Sequence, residues 1–128
     1  MTRTFIRLPE FEKRCQEIGL TETNIREIEN ILLENPNAGG IIQGTGGIRK
    51  FRYALPGKGK SGGARVISLD FAYYGRTFLI TIYEKGDKDN LTKAECNSLK
   101  ALSKLLSDIE KHNFNNSTRS DDDNEQRF

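Results

Sequence analysis

Thr77 to Tyr83, TFLITIY, carries no charge, and its apolar side chains fall on both alternation faces. A strand of that kind is central in a sheet, with partners on either side. Arg65 to Phe71 is a second β-branched, apolar run, and the two join around Tyr74-Gly75-Arg76 as a hairpin. A third strand is expected over Ile48 to Leu55. There Arg49, Phe51, Tyr53 and Leu55 point one way, and Ile48, Lys50, Arg52 and Ala54 the other. With Phe51 and Leu55 facing the core, Lys50 and Arg52 share the exposed face. Pro56 to Gly63, PGKGKSGG, is a loop between strands.

Helical spacing surrounds this sheet. Thr4 to Leu8 reads as a short strand, and Pro9 then suits a first helical turn. Phe11, Cys15 and Ile18 recur at about one turn before Gly19 stops the helix. Thr21 is an N-cap for a second helix, with an apolar stripe of Ile25, Ile28, Ile31 and Leu32 that ends at Asn35-Pro36. Thr92 and Glu95 have capping-box spacing, and Ala94, Leu99, Leu102, Leu105, Leu106 and Ile109 keep helical period to about His112. The expected class is α+β: a small, twisted, mostly antiparallel sheet with an N-terminal helical hairpin on one face, a C-terminal helix, and a basic opposite face. Residues 1–112 form one domain. The segment 113–128, NFNNSTRSDDDNEQRF, loses apolar periodicity and reads as a disordered acidic tail.

Charge is segregated. The net charge is only +2, yet no Asp or Glu lies between Glu34 and Asp70, a stretch holding Arg49, Lys50, Arg52, Lys58, Lys60 and Arg65. Nine of the twelve glycines fall between Gly39 and Gly63, and Phe51 and Tyr53 interleave with the cations. Cations spaced by residues that permit close approach point to a polyanionic partner, most simply a nucleic acid.

Several chemistries are disfavoured. Gly59-Lys60-Ser61 imitates the end of a phosphate-binding loop, but Ala54 stands where that pattern needs glycine and Gly62-Gly63 follows instead of a helix. Gly44-Thr45-Gly46-Gly47 has Arg49 in the place of the third glycine of a dinucleotide fingerprint. His112 is the one histidine, so a two-histidine nuclease is excluded. Asp87 and Asp89, each beside a lysine, read as a solvated turn rather than metal ligands, so no metal or other cofactor is expected. Cys15 and Cys96 lack metal or redox spacing and read as buried thiols. With no apolar run of membrane-spanning length and no secretory signal, a cytoplasmic protein that does not meet the membrane is expected.

One set of motifs is more specific than its parts. Asn35-Pro36 is followed by Gly39, then Ile42-Gln43-Gly44-Thr45-Gly46-Gly47 with Arg49-Lys50 and Arg52. Lys58-Gly59-Lys60, Gly62-Gly63, Arg65, Ile82-Tyr83-Glu84-Lys85 and Asn90-Leu91-Thr92 complete it. In this the chain resembles the RelE/HigB superfamily of toxins from type II toxin-antitoxin modules, most closely the HigB-like branch, from roughly Phe5 to Ile109. The resemblance implies a metal-independent endoribonuclease that cuts mRNA on the translating ribosome. It also implies silencing by a cognate antitoxin, typically of helix-turn-helix type, and joint binding of the pair to operator DNA.

Carried onto this chain, the resemblance makes Lys50, Arg52, Arg65 and Lys85 the catalytic set. Lys50 and Arg52 hold RNA and take part in proton transfer, and Arg65 stabilises the scissile phosphate. Arg49, Lys58, Lys60 and Lys88 are the accompanying RNA-binding cations. Gly86-Asp87-Lys88-Asp89-Asn90 stands where a Tyr or His acid or base is often found, so the general base is open between Lys50 and Lys85. Two alternatives remain: a basic RNA- or DNA-binding module that cleaves nothing, and a gyrase-poisoning toxin of the same fold.

Overall fold

The computed structural model describes residues 3–57, 63–86 and 90–126, with side chains described as far as Asn116. The order is β1 (Thr4–Arg7), α1 (Pro9–Ile18), α2 (Glu22–Glu34), β2 (Gly40–Ile41), β3 (Arg49–Ala54), β4 (Gly63–Phe71), a 3-10 turn (Ala72–Tyr74), β5 (Arg76–Glu84) and α3 (Lys93–Gln126). The strands form one sheet in the order β1-β5-β4-β3-β2. β1 runs parallel to β5, and the other neighbours are antiparallel. The uncharged strand is thus interior, between β1 and β4, and the fold is the expected α+β architecture.

The two alternation faces of the sheet are covered by different helices. On one, Phe11 and Cys15 of α1 and Ile25, Ile28 and Leu32 of α2 pack on Phe51, Tyr53, Val66, Leu79 and Ile82. On the other, Leu99, Leu102 and Leu106 of α3 meet Ile48, Ile67, Leu69, Phe78 and Ile80. This corrects the expectation of a wholly basic opposite face. β4 and β5 are apolar on both sides, and Ile67, Phe78 and Ile80 need cover as much as Val66 and Leu79 do. What stays open is the end of that face where β3 meets β4.

Local signals set the ends of the elements. Gly19 takes a left-handed conformation to close α1. Thr21 Oγ1 accepts from Asn24 N while Asn24 Oδ1 accepts from Thr21 N, capping α2. The same reciprocal pair, Thr92 with Glu95, starts α3. Helix α3 includes most of the segment 113–128, and Phe114 packs edge-on against Tyr73, with centroids 5.4 Å apart. Cys15 is buried and its thiol is pushed up to about 11 by burial, whereas Cys96 is only half-buried.

Charge is paired across elements. Arg3 reaches Asp70 near the C-terminal end of β4, and Thr77 Oγ1 donates to the same carboxylate at 2.7 Å. Arg7 of β1 bonds Glu22 and Glu29 of α2 at 2.9 and 3.0 Å, tying the first strand to the second helix.

Gly39 sets the approach of the chain to β3. Its φ is +80°, and a Cβ there would sit 2.0 Å from the Lys50 carbonyl oxygen. Substitution to alanine is expected to cost about 2–4 kcal/mol, from left-handed strain plus overpacking against backbone that cannot yield. Denaturant unfolding measures it, and a wild-type midpoint would refute the close approach.

Candidate active site

Strand register decides which cations meet. Arg52 of β3 lies opposite Arg65 of β4, and Arg65 lies opposite Tyr83 of β5. Directly opposed residues in antiparallel pairs share a face, with Cβ atoms about 4.5–5.5 Å apart. Arg52, Arg65 and Tyr83 therefore form one row across three strands. Lys50 is opposite Ile67 in the next row, on the same face. Lys85 follows Tyr83 by two residues, and its amide donates to Gly63 O at 2.9 Å, which fixes it at the mouth of the row.

Exposure is graded along this surface. Arg52 and Lys85 are exposed, Lys50 and Arg65 are half-buried, and Tyr83 is buried. Within Arg65, Nη1 is sealed from solvent and has no hydrogen-bond partner among the described residues. A half-buried guanidinium set in a row beside a second arginine is suited to hold an anion, since charge-assisted bonds from a planar fork are the strong ones. The Arg52 side chain lies across Gly63, whose missing Cβ would come within 3.2 Å of Arg52 Nε. Gly63→Ala is therefore expected to displace the Arg52 side chain with the fold retained. The nitrogen-15 NMR signal of the Arg52 Nε–H group checks this, and an unmoved signal would contradict it.

The remaining cations are placed differently. Arg49 alternates to the α2 side, where Nη1 donates to the carbonyls of Asn37 and Gly39 at 3.3 and 3.2 Å. It supports the β2 turn from there and does not join the Arg52 row. Lys58, Lys60 and Lys88 lie outside the described residues. The glycine-rich run before β3 is a packed turn: Thr45 is fully buried, and Ser103 of α3 donates to Gly46 O at 3.1 Å. Among the described residues no group of three or more His, Cys, Asp or Glu is gathered as metal ligands.

With this geometry in place, comparison with family models is decisive. The model described as RelE toxin of the RelE / RelB toxin-antitoxin system matches residues 5–122. The chain belongs to the RelE toxin family. It is accordingly the toxin of a toxin-antitoxin system, with a cognate antitoxin as its partner. No helix among the described residues of this RelE-family toxin is long and apolar enough to cross a membrane.

Tyr83 belongs to the Ile82-Tyr83-Glu84-Lys85 motif and to the apolar run TFLITIY, but the sequence assigns it no role in the site. Its spacing of two from Lys85, the strand's basic end, was the available signal. The register that puts it beside Arg65 is not written in either strand alone.

Proposed function

We propose that this RelE-family toxin, of the HigB-like branch, is a metal-independent endoribonuclease that cuts mRNA on the translating ribosome. The observation that carries the reading is the half-buried Arg65, flanked by Arg52 on one strand and Tyr83 on the other. A phosphate is the anion that a row of cations on an open sheet end suits best.

The chemistry is attack of the neighbouring 2'-hydroxyl on the scissile phosphorus. A base removes the 2'-hydroxyl proton, the 2'-oxygen bonds to phosphorus, and the bond to the 5'-oxygen breaks as that oxygen takes up a proton. Arg65 stabilises the charge that builds on the phosphorane, where preorganised donors act most strongly. Lys50 and Arg52 hold the strand, and Lys50 or Lys85 exchanges protons with the 2'-oxygen or the leaving oxygen. Cations alone make a weak catalyst, and positioning by another body supplies what they lack, since orientation can remove about 7–11 kcal/mol of barrier. The ribosome is that body.

The glycine-lysine segment at Lys58 and Lys60 adds phosphate contacts. Neutralising either is expected to reduce the salt dependence of RNA binding by about one unit in log-log slope. A titration of affinity against salt reads this directly. Together with its antitoxin the protein binds operator DNA in the cytoplasm. The test of the function is mapping of mRNA 5' ends after brief induction. New ends inside coding regions support the nuclease, intact transcripts favour a binding module, and DNA breaks with intact transcripts favour gyrase poisoning.

A further inference from the structure

We infer that the cavity beside the cation row receives a nucleobase of the RNA, one flanking the phosphate held at Arg65, and that Thr81 helps to select it. The inference rests on the proposed phosphate site and deepens it. The cavity measures about 400 Å3 and lies between the sheet and the first turns of α3. Ile67, Ile80, Thr81 and Tyr83 line it on the sheet side, and Glu95 and Leu99 on the helix side. Its size falls within the range of about 300–1,000 Å3 typical of small-molecule sites, which are likewise mostly apolar with a few polar groups. Two of the sheet residues are direct strand partners of the cations: Ile67 lies opposite Lys50, and Tyr83 opposite Arg65. The cavity wall is therefore continuous with the row.

A break in the strand pairing shapes this wall. Ile67 pairs with Thr81 and Ser68 with Leu79, which leaves Ile80 as an extra residue in β5. Successive strand residues ordinarily point to opposite faces, yet Ile80 and Thr81 both line the cavity. Bulges re-aim side chains in this way beside functional sites. The result is a hydroxyl, that of Thr81, set among Ile67, Ile80 and Tyr83. Thr81 and Leu99 are half-buried rather than sealed, so a ligand can reach the space. A base splayed out of a single strand needs this combination, apolar or aromatic walls for its faces and a few hydrogen-bonding groups for its edge. An aliphatic occupant would be served as well by valine at position 81. A nucleotide also brings the anion that the adjoining arginines suit, which an apolar side chain does not.

The test titrates the full chain with the 3'-monophosphates of adenosine, guanosine, cytidine and uridine, and separately with indole as a probe for an apolar side chain of a partner. The methyl NMR signals of Ile67, Ile80 and Leu99 report on the cavity. The expected result is a saturable shift of all three signals with at least one nucleotide. Thr81→Val, which keeps the shape, should change the affinity ratio between the tightest and weakest nucleotides about three- to tenfold, the worth of one hydrogen bond, at an unchanged thermal midpoint. Methyl signals unmoved by all four nucleotides would overturn the inference, and shifts with indole alone would assign the cavity to a partner's side chain instead. An unchanged ratio in Thr81→Val would overturn the selecting role of Thr81. Mapping of mRNA ends decides the nuclease separately. If the wild-type protein cuts nothing while nucleotides still shift the methyl signals, the proposed function fails and the base site stands; cutting without any such shift keeps the function and removes the base site.

Discussion

Arg65→Ala is expected to slow mRNA cleavage about 10²–10³-fold, the cost of removing one preorganised donor from a developing anion. Growth arrest on expression should be lost with it. The fold should survive, because Arg65 Nη1 has no hydrogen-bond partner among the described residues that would be left unpaired. Removing a buried donor with no partner is close to neutral for stability. Arg65→Lys should restore little, since an ammonium carries the charge without the planar fork that matches two phosphate oxygens. Single-turnover cleavage together with thermal unfolding separates the possibilities. Full cleavage by Arg65→Ala would contradict the assignment, and loss of activity with unfolding would make Arg65 part of the scaffold.

The largest stability effect should come from Asp70→Ala. The side chains of Arg3 and Asp70 are 7% and 9% exposed, and Thr77, fully buried, donates to the same carboxylate. Removing the acid leaves an arginine buried without its counter-charge and a hydroxyl without its acceptor. Breaking a buried pair in this way costs about 3–5 kcal/mol. For a domain of this size that lowers the thermal midpoint by about 10–20 °C. Replacing Arg3 and Asp70 together by apolar residues of similar volume should recover most of the loss, because the penalty lies in the orphaned charge rather than in the absent bond. A single-variant midpoint within a few degrees of wild type would show that Arg3 escapes to solvent.

The sequence made local features readable and left pairwise ones hidden. Phe51 and Tyr53 alternate with Lys50 and Arg52, so the face carrying the two cations followed from strand geometry alone. Thr21 and Thr92 announce their helices because a hydroxyl three residues before a side-chain acceptor is a local device. The side of the sheet that α3 takes depends on the chain's path after β5, and no period in Leu99, Leu102 and Leu106 encodes that. Likewise Arg49 looks equivalent to Lys50 in a count of cations, yet alternation sends it to the carbonyls of Asn37 and Gly39. The meeting of Arg52, Arg65 and Tyr83 needs two strand registers at once, with an irregularity between Ile67 and Ser68 that shifts everything beyond it. Register is set by turns and packing together, which is why the row emerges only in three dimensions.

The central claim is that the Lys50, Arg52 and Arg65 surface cleaves RNA that something larger holds in place. Its most direct test is the cleavage rate of one mRNA by purified protein, free in solution and within a programmed ribosomal complex. The expected result is rapid cleavage in the complex, abolished by Arg65→Ala, with the free mRNA cut orders of magnitude more slowly. Equal rates on both forms, or cleavage in the complex that survives Arg65→Ala, would contradict it.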